Sequence, residues 1–224
     1  MAKMNKEAII KELESQANPK NVAGMARFGI QGEKMLGISM PVLRKMGRDI
    51  KKSGSDTHQL AQELWESGIH EAKILAGIID DPRLVTAKQM DSWIKDFDSW
   101  DVCDQVCMNL FDKTDFAFDK CIEWSQRKPE FEKRAGFALM AAFAWHRKDV
   151  PDTKIAEFLP YIVKESTDDR NYVRKAVNWA LRQIGKRSDY LRKEAIKTAQ
   201  EILKIDSKTA HWIANDALRE LSQK

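Results

Sequence analysis

The chain has 224 residues but only three cysteines and four histidines. Cys103, Cys107 and Cys121 form no CxxC pair, which argues against a dithiol redox centre and a zinc ribbon. Cys103 and Cys107 stand one helical turn apart, a spacing that suits core packing, so all three read as free, buried thiols. The histidines are scattered and make no HExxH or paired-ligand pattern, so no metal site is expected. There is no run of about 18 apolar residues, so no membrane span is expected. The first residues, Met1-Ala-Lys-Met-Asn-Lys6, lead into an amphipathic helix rather than an apolar signal core, and a cytoplasmic location is expected. Runs of alternating apolar and polar residues are also missing, which leaves no strand to assign.

What is present is one helical pattern after another. Hydrophobic residues make up 43% of the chain, enough for one substantial core. The breaks between patterns carry helix stop and start signals: Asn18-Pro19, Ser39-Met40-Pro41, Asp81-Pro82, Lys128-Pro129 and Val150-Pro151-Asp152. Gly54, Gly68 and Gly185 sit near expected helix ends. About a dozen short helices joined by tight turns predict stacked antiparallel pairs. An internal echo agrees. Phe131-Glu-Lys-Arg-Ala135 and Tyr172-Val-Arg-Lys-Ala176 share an aromatic, a base and an alanine 41 residues apart. HEAT and armadillo helix pairs repeat at roughly 40–47 residues. The predicted fold is therefore all-α, an α-solenoid whose concave wall is built from the second helix of each pair.

Charge is unevenly spread. The net charge is only +4, with 32% charged residues. From Arg170 to Lys197 nine bases face two acids, whereas from Asp91 to Asp119 eight acids face two bases. Such asymmetry points to a binding face. The segment Tyr172 to Lys186, read as a helix, places Tyr172, Lys175, Trp179, Arg182 and Lys186 within a stripe of roughly 80°. Val173, Val177, Ala180, Leu181 and Ile184 fall on the other side. Trp179 thus stands among cations. It either packs under their stems or a neighbouring helix, or faces a nucleic-acid backbone with them.

Two further residues stand out. Trp100 and Asp104 share a mostly apolar face with Cys107 and Phe111, and a carboxylate there needs a partner or a task. Asp98 and Asp101 have an ordinary reading: carboxylates near a helix start favour its dipole, and Asp98 or Ser99 can act as the N-cap. Arg134 lies against Ala138, Ala141, Trp145, Phe131 and Phe137. It is either paired to a buried carboxylate, Asp104 among the candidates, or used as a phosphate clamp.

These residues resemble the AlkD-like DNA alkylation repair glycosylases, a HEAT-like repeat family. The resemblance runs from Ala23-Gly-Met-Ala-Arg-Phe-Gly29 to Arg182-Gln-Ile-Gly185. It is most specific at Trp100-Asp-Val-Cys-Asp104, Arg134-Ala135 and Lys175-Ala-Val-Asn-Trp-Ala-Leu-Arg182. It implies one DNA-binding domain over residues 1–224, acting as a monomer without cofactor. It also implies that Asp104 is the catalytic carboxylate and that Trp100 and Trp179 face the lesion. Arg134, Lys175, Arg182, Lys186, Tyr172 and Phe28 would then contact the DNA backbone. The substrate would be double-stranded DNA bearing cationic alkylated purines, 3-methyladenine or 7-methylguanine, handled in base excision repair. Two positions depart from the pattern. Ser99 stands where a second tryptophan is found in the family, and Phe28 stands where a tyrosine is found. Other outcomes stay open: a non-catalytic binder of bent or branched DNA, and a HEAT-type protein scaffold.

Overall fold

The computed structural model describes residues 3–222. It contains fourteen α-helices and three short 3-10 turns, and no strand among the described residues. The chain divides into two compact units, residues 1–114 and 115–224. The first unit holds α1 (Lys6–Ser15), α2 (Pro19–Met25), α3 (Met40–Lys52), α4 (Thr57–Glu66), α5 (His70–Ile79), α6 (Ala87–Trp93) and α7 (Trp100–Asn109). The second holds α8 (Ala117–Ser125), α9 (Glu130–His146), α10 (Asp152–Ala156), α11 (Leu159–Lys164), α12 (Asn171–Arg187), α13 (Asp189–Ile202) and α14 (Lys208–Leu221).

The stop and start signals work as their chemistry requires. The Asn18 side chain accepts from the backbone N–H groups of Lys20 and Asn21, and Pro19 occupies the first turn of α2. Asp56, Thr86, Ser188 and Ser207 cap α4, α6, α13 and α14 through side-chain oxygens. Each such cap satisfies orphan donors and contributes about 1 kcal/mol. Pro129 and Pro151 immediately precede α9 and α10. Gly54 and Gly68 follow α3 and α4 with positive φ. Gly185 differs from expectation: α12 continues through it to Arg187.

In the first unit α5 packs against α3, α4 and α7. Leu43, Leu64, Leu75, Ile79, Val102 and Val106 are fully buried there. Trp65 and Trp93 stack with ring centroids 4.0 Å apart. In the second unit α9 packs against α8 and α12, and α12 also packs against α13 and α14. The apolar stripe expected of α12 is all core: Val173, Val177, Ala180, Leu181 and Ile184 are each 0% exposed. Helix α9 is buried from Lys133 through Ala144, as its apolar circumference requires. Gly136 makes this possible. A Cβ there would lie 2.3 Å from the Ser125 backbone nitrogen, so α8 and α9 meet at backbone distance. The three cysteines are buried.

The sequence echo has a structural meaning. Phe131 and Tyr172 occupy the second positions of α9 and α12. Their rings lie 5.2 Å apart at 31°. The echo therefore marks the register of neighbouring helices within one unit.

Candidate nucleic-acid interface

In the first unit the site is built on α7. Ser99 is its N-cap residue in extended backbone, but its hydroxyl oxygen accepts no cap bond from the backbone. It donates instead to the Asp101 carboxylate at 2.5 Å. The other Asp101 oxygen meets His70 Nε2 at 2.8 Å. His70 opens α5, so the pair ties the starts of two packed helices together. Burial alone would raise the Asp101 carboxyl. The hydrogen bond and charge of His70, with the Ser99 hydroxyl and the Val102 N–H, hold it below its ordinary value. Burial alone would lower the His70 imidazole, but the hydrogen bond and charge of Asp101, with Glu71 and Asp98, raise it.

Next to this pair, Trp100 is half-buried, and its indole N–H donates to the Phe28 carbonyl at 3.0 Å. The bond ties the edge of the ring to the turn that carries Phe28. Phe28 itself is 74% exposed, on the 3-10 turn that follows α2. Asp104 lies one turn after Trp100 and is half-buried. The expected company of Phe111 on that face is not there. Helix α7 ends at Asn109, and Leu110 leaves helical geometry at φ −130°. Phe111 is swung into the core against Trp93, with centroids 6.1 Å apart.

In the second unit Arg134 is only 5% exposed and donates to the Tyr172 carbonyl at 2.7 Å. Tyr172 N–H in turn donates to Glu130 at 3.2 Å. Arg134 and Tyr172, expected at DNA, are thus brought together at the starts of α9 and α12. Along α12, Lys175 is exposed and Trp179 is half-buried. Arg182 and Lys186 follow on the same stripe, and they meet acids of α14. Arg182 bonds Glu220 at 2.6 Å and lies 3.6 Å from Asp216, and Lys186 also pairs with Glu220. Burial would raise the Glu220 carboxyl, but the hydrogen bonds and charges of Lys186 and Arg182 lower it. These two cations are therefore partly neutralised within the protein.

The sequence reading passed over two features. Asp101, expected only to favour the helix dipole, carries the His70 and Ser99 bonds. No local signal could show this, because the His70 bond spans 31 residues. A register does exist in the sequence: His70-Glu71 and Trp100-Asp101 both open their helices, 30 positions apart. The other feature is Trp212 on α14, 40% exposed, with the Arg174 guanidinium 5.3 Å from its ring. It extends the pairing of aromatics with cations beyond α12.

Fold and site together define an all-helical protein of stacked helix pairs that carries aromatics beside cations. A family model described as DNA alkylation repair enzyme matches residues 9–221, and the chain belongs to that family. A relative from Listeria innocua serovar 6a, named Uncharacterized protein Lin0241, is 24% identical over 197 residues. The match covers 87% of this chain and 84% of that protein. A solved structure matches with a TM-score of 0.80 at 22% identity, covering 98% of this chain and 95% of that one. It is described as a new family of proteins related to the HEAT-like repeat DNA glycosylases, with affinity for branched DNA structures. That likeness fixes the fold as HEAT-like.

Proposed function

We propose that this protein is a DNA glycosylase that removes cationic alkylated purines, 3-methyladenine and 7-methylguanine, from double-stranded DNA, acting as a monomer. The observation that carries this reading is Asp104 one helical turn from a tryptophan whose ring is pinned by its own indole N–H. Membership of the alkylation repair family supports it.

The chemistry is modest in what it demands. A purine alkylated at N3 or N7 already carries positive charge and leaves as a neutral base. The C1′–N bond breaks and its electron pair goes to the base. Positive charge then builds on the sugar. A carboxylate aimed at that charge stabilises it and orients the attacking water. The water oxygen bonds C1′, and its proton passes to solvent. Aromatic faces favour the cationic lesion by about 0.5–2 kcal/mol each. Asp104 takes the carboxylate role, Trp100 and Trp179 the aromatic role. Lys175 and its neighbours hold phosphate.

A second reading has its own support. The matched solved structure belongs to proteins with affinity for branched DNA, and Phe28 and Ser99 depart from the glycosylase pattern. Here the protein binds bent or branched DNA and does no chemistry. One experiment separates the two. Base release from alkylated duplex is measured for the wild type and Asp104→Asn, with DNA binding measured alongside. The glycosylase reading expects a loss of roughly 100-fold or more in release at unchanged binding. Equal inertness of both proteins, with binding intact, sinks the enzyme and leaves the binder. Absence of salt-sensitive DNA binding would instead point to a protein scaffold.

A further inference from the structure

Within the second unit, contacts between side chains fix how α12 and α14 lie against each other. Arg174 meets Trp212, and Asn178 donates to the Ile213 carbonyl. Further on, Arg182 meets Asp216 and Glu220, and Lys186 meets Glu220. The residue numbers rise together, so the helices run parallel and start at the same end. The seam between them changes character along its length. At its far end acids of α14 hold the cations of α12. At its start no acid takes that place. Trp212, 40% exposed, lies there with the Arg174 guanidinium 5.3 Å from its ring.

The cations at this start are left open. Among the described residues Arg174 makes one hydrogen bond, to the Asn171 side chain at 3.3 Å, and its buried Nε has no partner. A guanidinium stacked on an indole keeps its charge and the rest of its N–H edge. Lys208 opens α14, is exposed, and lies four residues from Trp212 on the same side of that helix. Lys175 is exposed beside them on α12. Neither lysine forms an ion pair among the described residues. Neither helix has an acid in its first turn. Cations there add to the positive end of the helix dipole rather than offset it. Of the acids close in sequence, Asp168 is taken by Arg170 and Lys133, and Glu130 by the Tyr172 N–H.

We propose that the starts of α12 and α14 hold a stretch of DNA backbone, with phosphates on Arg174 and Lys208 and the apolar face of a deoxyribose against Trp212. This rests on the DNA-binding reading above and adds to the α12 stripe a contact on the neighbouring helix. The charge pattern names the partner. Open cations beside an exposed aromatic fit a polyanion that carries apolar sugars between its charges. Contacts to phosphate and sugar position a protein on DNA without reading its sequence. Each phosphate neutralised releases counterions, so each contact shows in the salt dependence of binding.

The test measures binding to one DNA duplex across a range of salt for the wild type, Arg174→Met, Lys208→Met and Trp212→Leu. Lys197→Met serves as the control: Lys197 lies on α13, pairs with Glu194 and takes no part in the seam, and its loss changes the net charge equally. Arg174→Met and Lys208→Met are each expected to lower the slope of log K against log salt by about 0.9, an affinity loss of about eightfold at about 0.1 M salt. Arg174→Lys keeps the charge and is expected to keep the slope. Trp212→Leu is expected to weaken binding at least about threefold at an unchanged slope. Lys208 is exposed, so its variant reads the contact even if Arg174→Met fails to fold. Slopes for the Arg174→Met and Lys208→Met proteins that match Lys197→Met overturn the contact while leaving DNA binding in place. Failure of the wild type to bind the duplex overturns the DNA reading itself, and this contact with it.

Discussion

At the residue scale the His70–Asp101 pair makes the sharpest demand. Both groups are buried enough that losing one leaves the other poorly solvated. His70→Asn is expected to cost about 1–3 kcal/mol, and the cost should depend on pH. The native His70 value is raised, so its contribution is complete below the ordinary imidazole value of about 6.5. It is lost as pH rises through the raised native value. The native Asp101 value is lowered, so its contribution is present above the ordinary carboxylate value and lost as pH falls through the native one. Wild type and variant should therefore differ most in the weakly acidic range and converge as the solution turns alkaline. Denaturant unfolding of both proteins across that range checks it. A difference that stays flat with pH would mean that folding shifts the titration of neither group.

At the element scale α12 and α14 set how much positive charge reaches the surface. Glu220 engages both Arg182 and Lys186. Glu220→Gln should release them, tighten DNA binding several-fold and steepen its salt dependence. Each added phosphate contact changes the slope of log K against log salt by about 0.9. A titration at several salt concentrations reads this directly, and an unchanged slope would mean that these cations do not reach DNA. The meeting of α8 and α9 gives a stability prediction. Gly136→Ala places a methyl on the Ser125 backbone. Backbone cannot swing aside as a side chain can, so a cost of at least about 2 kcal/mol is expected, measured by thermal or denaturant unfolding.

At the scale of the whole molecule the helical fold was largely legible. The caps, the prolines and the apolar stripe of α12 each act locally, and local chemistry is what a sequence displays. Val173, Val177, Ala180, Leu181 and Ile184 are buried as their spacing required. The site was legible only in part. Trp100 and Asp104 could be placed on one helix face from their spacing. The bond from Trp100 to Phe28 spans 72 residues and left no trace in either neighbourhood. The same holds for Arg134, whose partner carbonyl lies 38 residues on. Phe111 was misplaced because a helical wheel assumes that the helix continues, and nothing in Asn109-Leu110 announced its end. The acids Asp216 and Glu220 escaped notice because their weight comes from where α14 docks, not from their own segment.

The buried cysteines have a use that chemistry at DNA does not touch. Cys103 and Cys107 lie inside the first compact unit and Cys121 inside the second, all shielded from solvent. A thiol reagent reaches such a sulfur only when the surrounding structure opens. Alkylation rates under native conditions, resolved by mass spectrometry, therefore report the opening of each unit separately. If the two units open independently, Cys121 will label at a rate of its own, and a ligand held by one unit will slow that unit's thiols while leaving the other's unchanged.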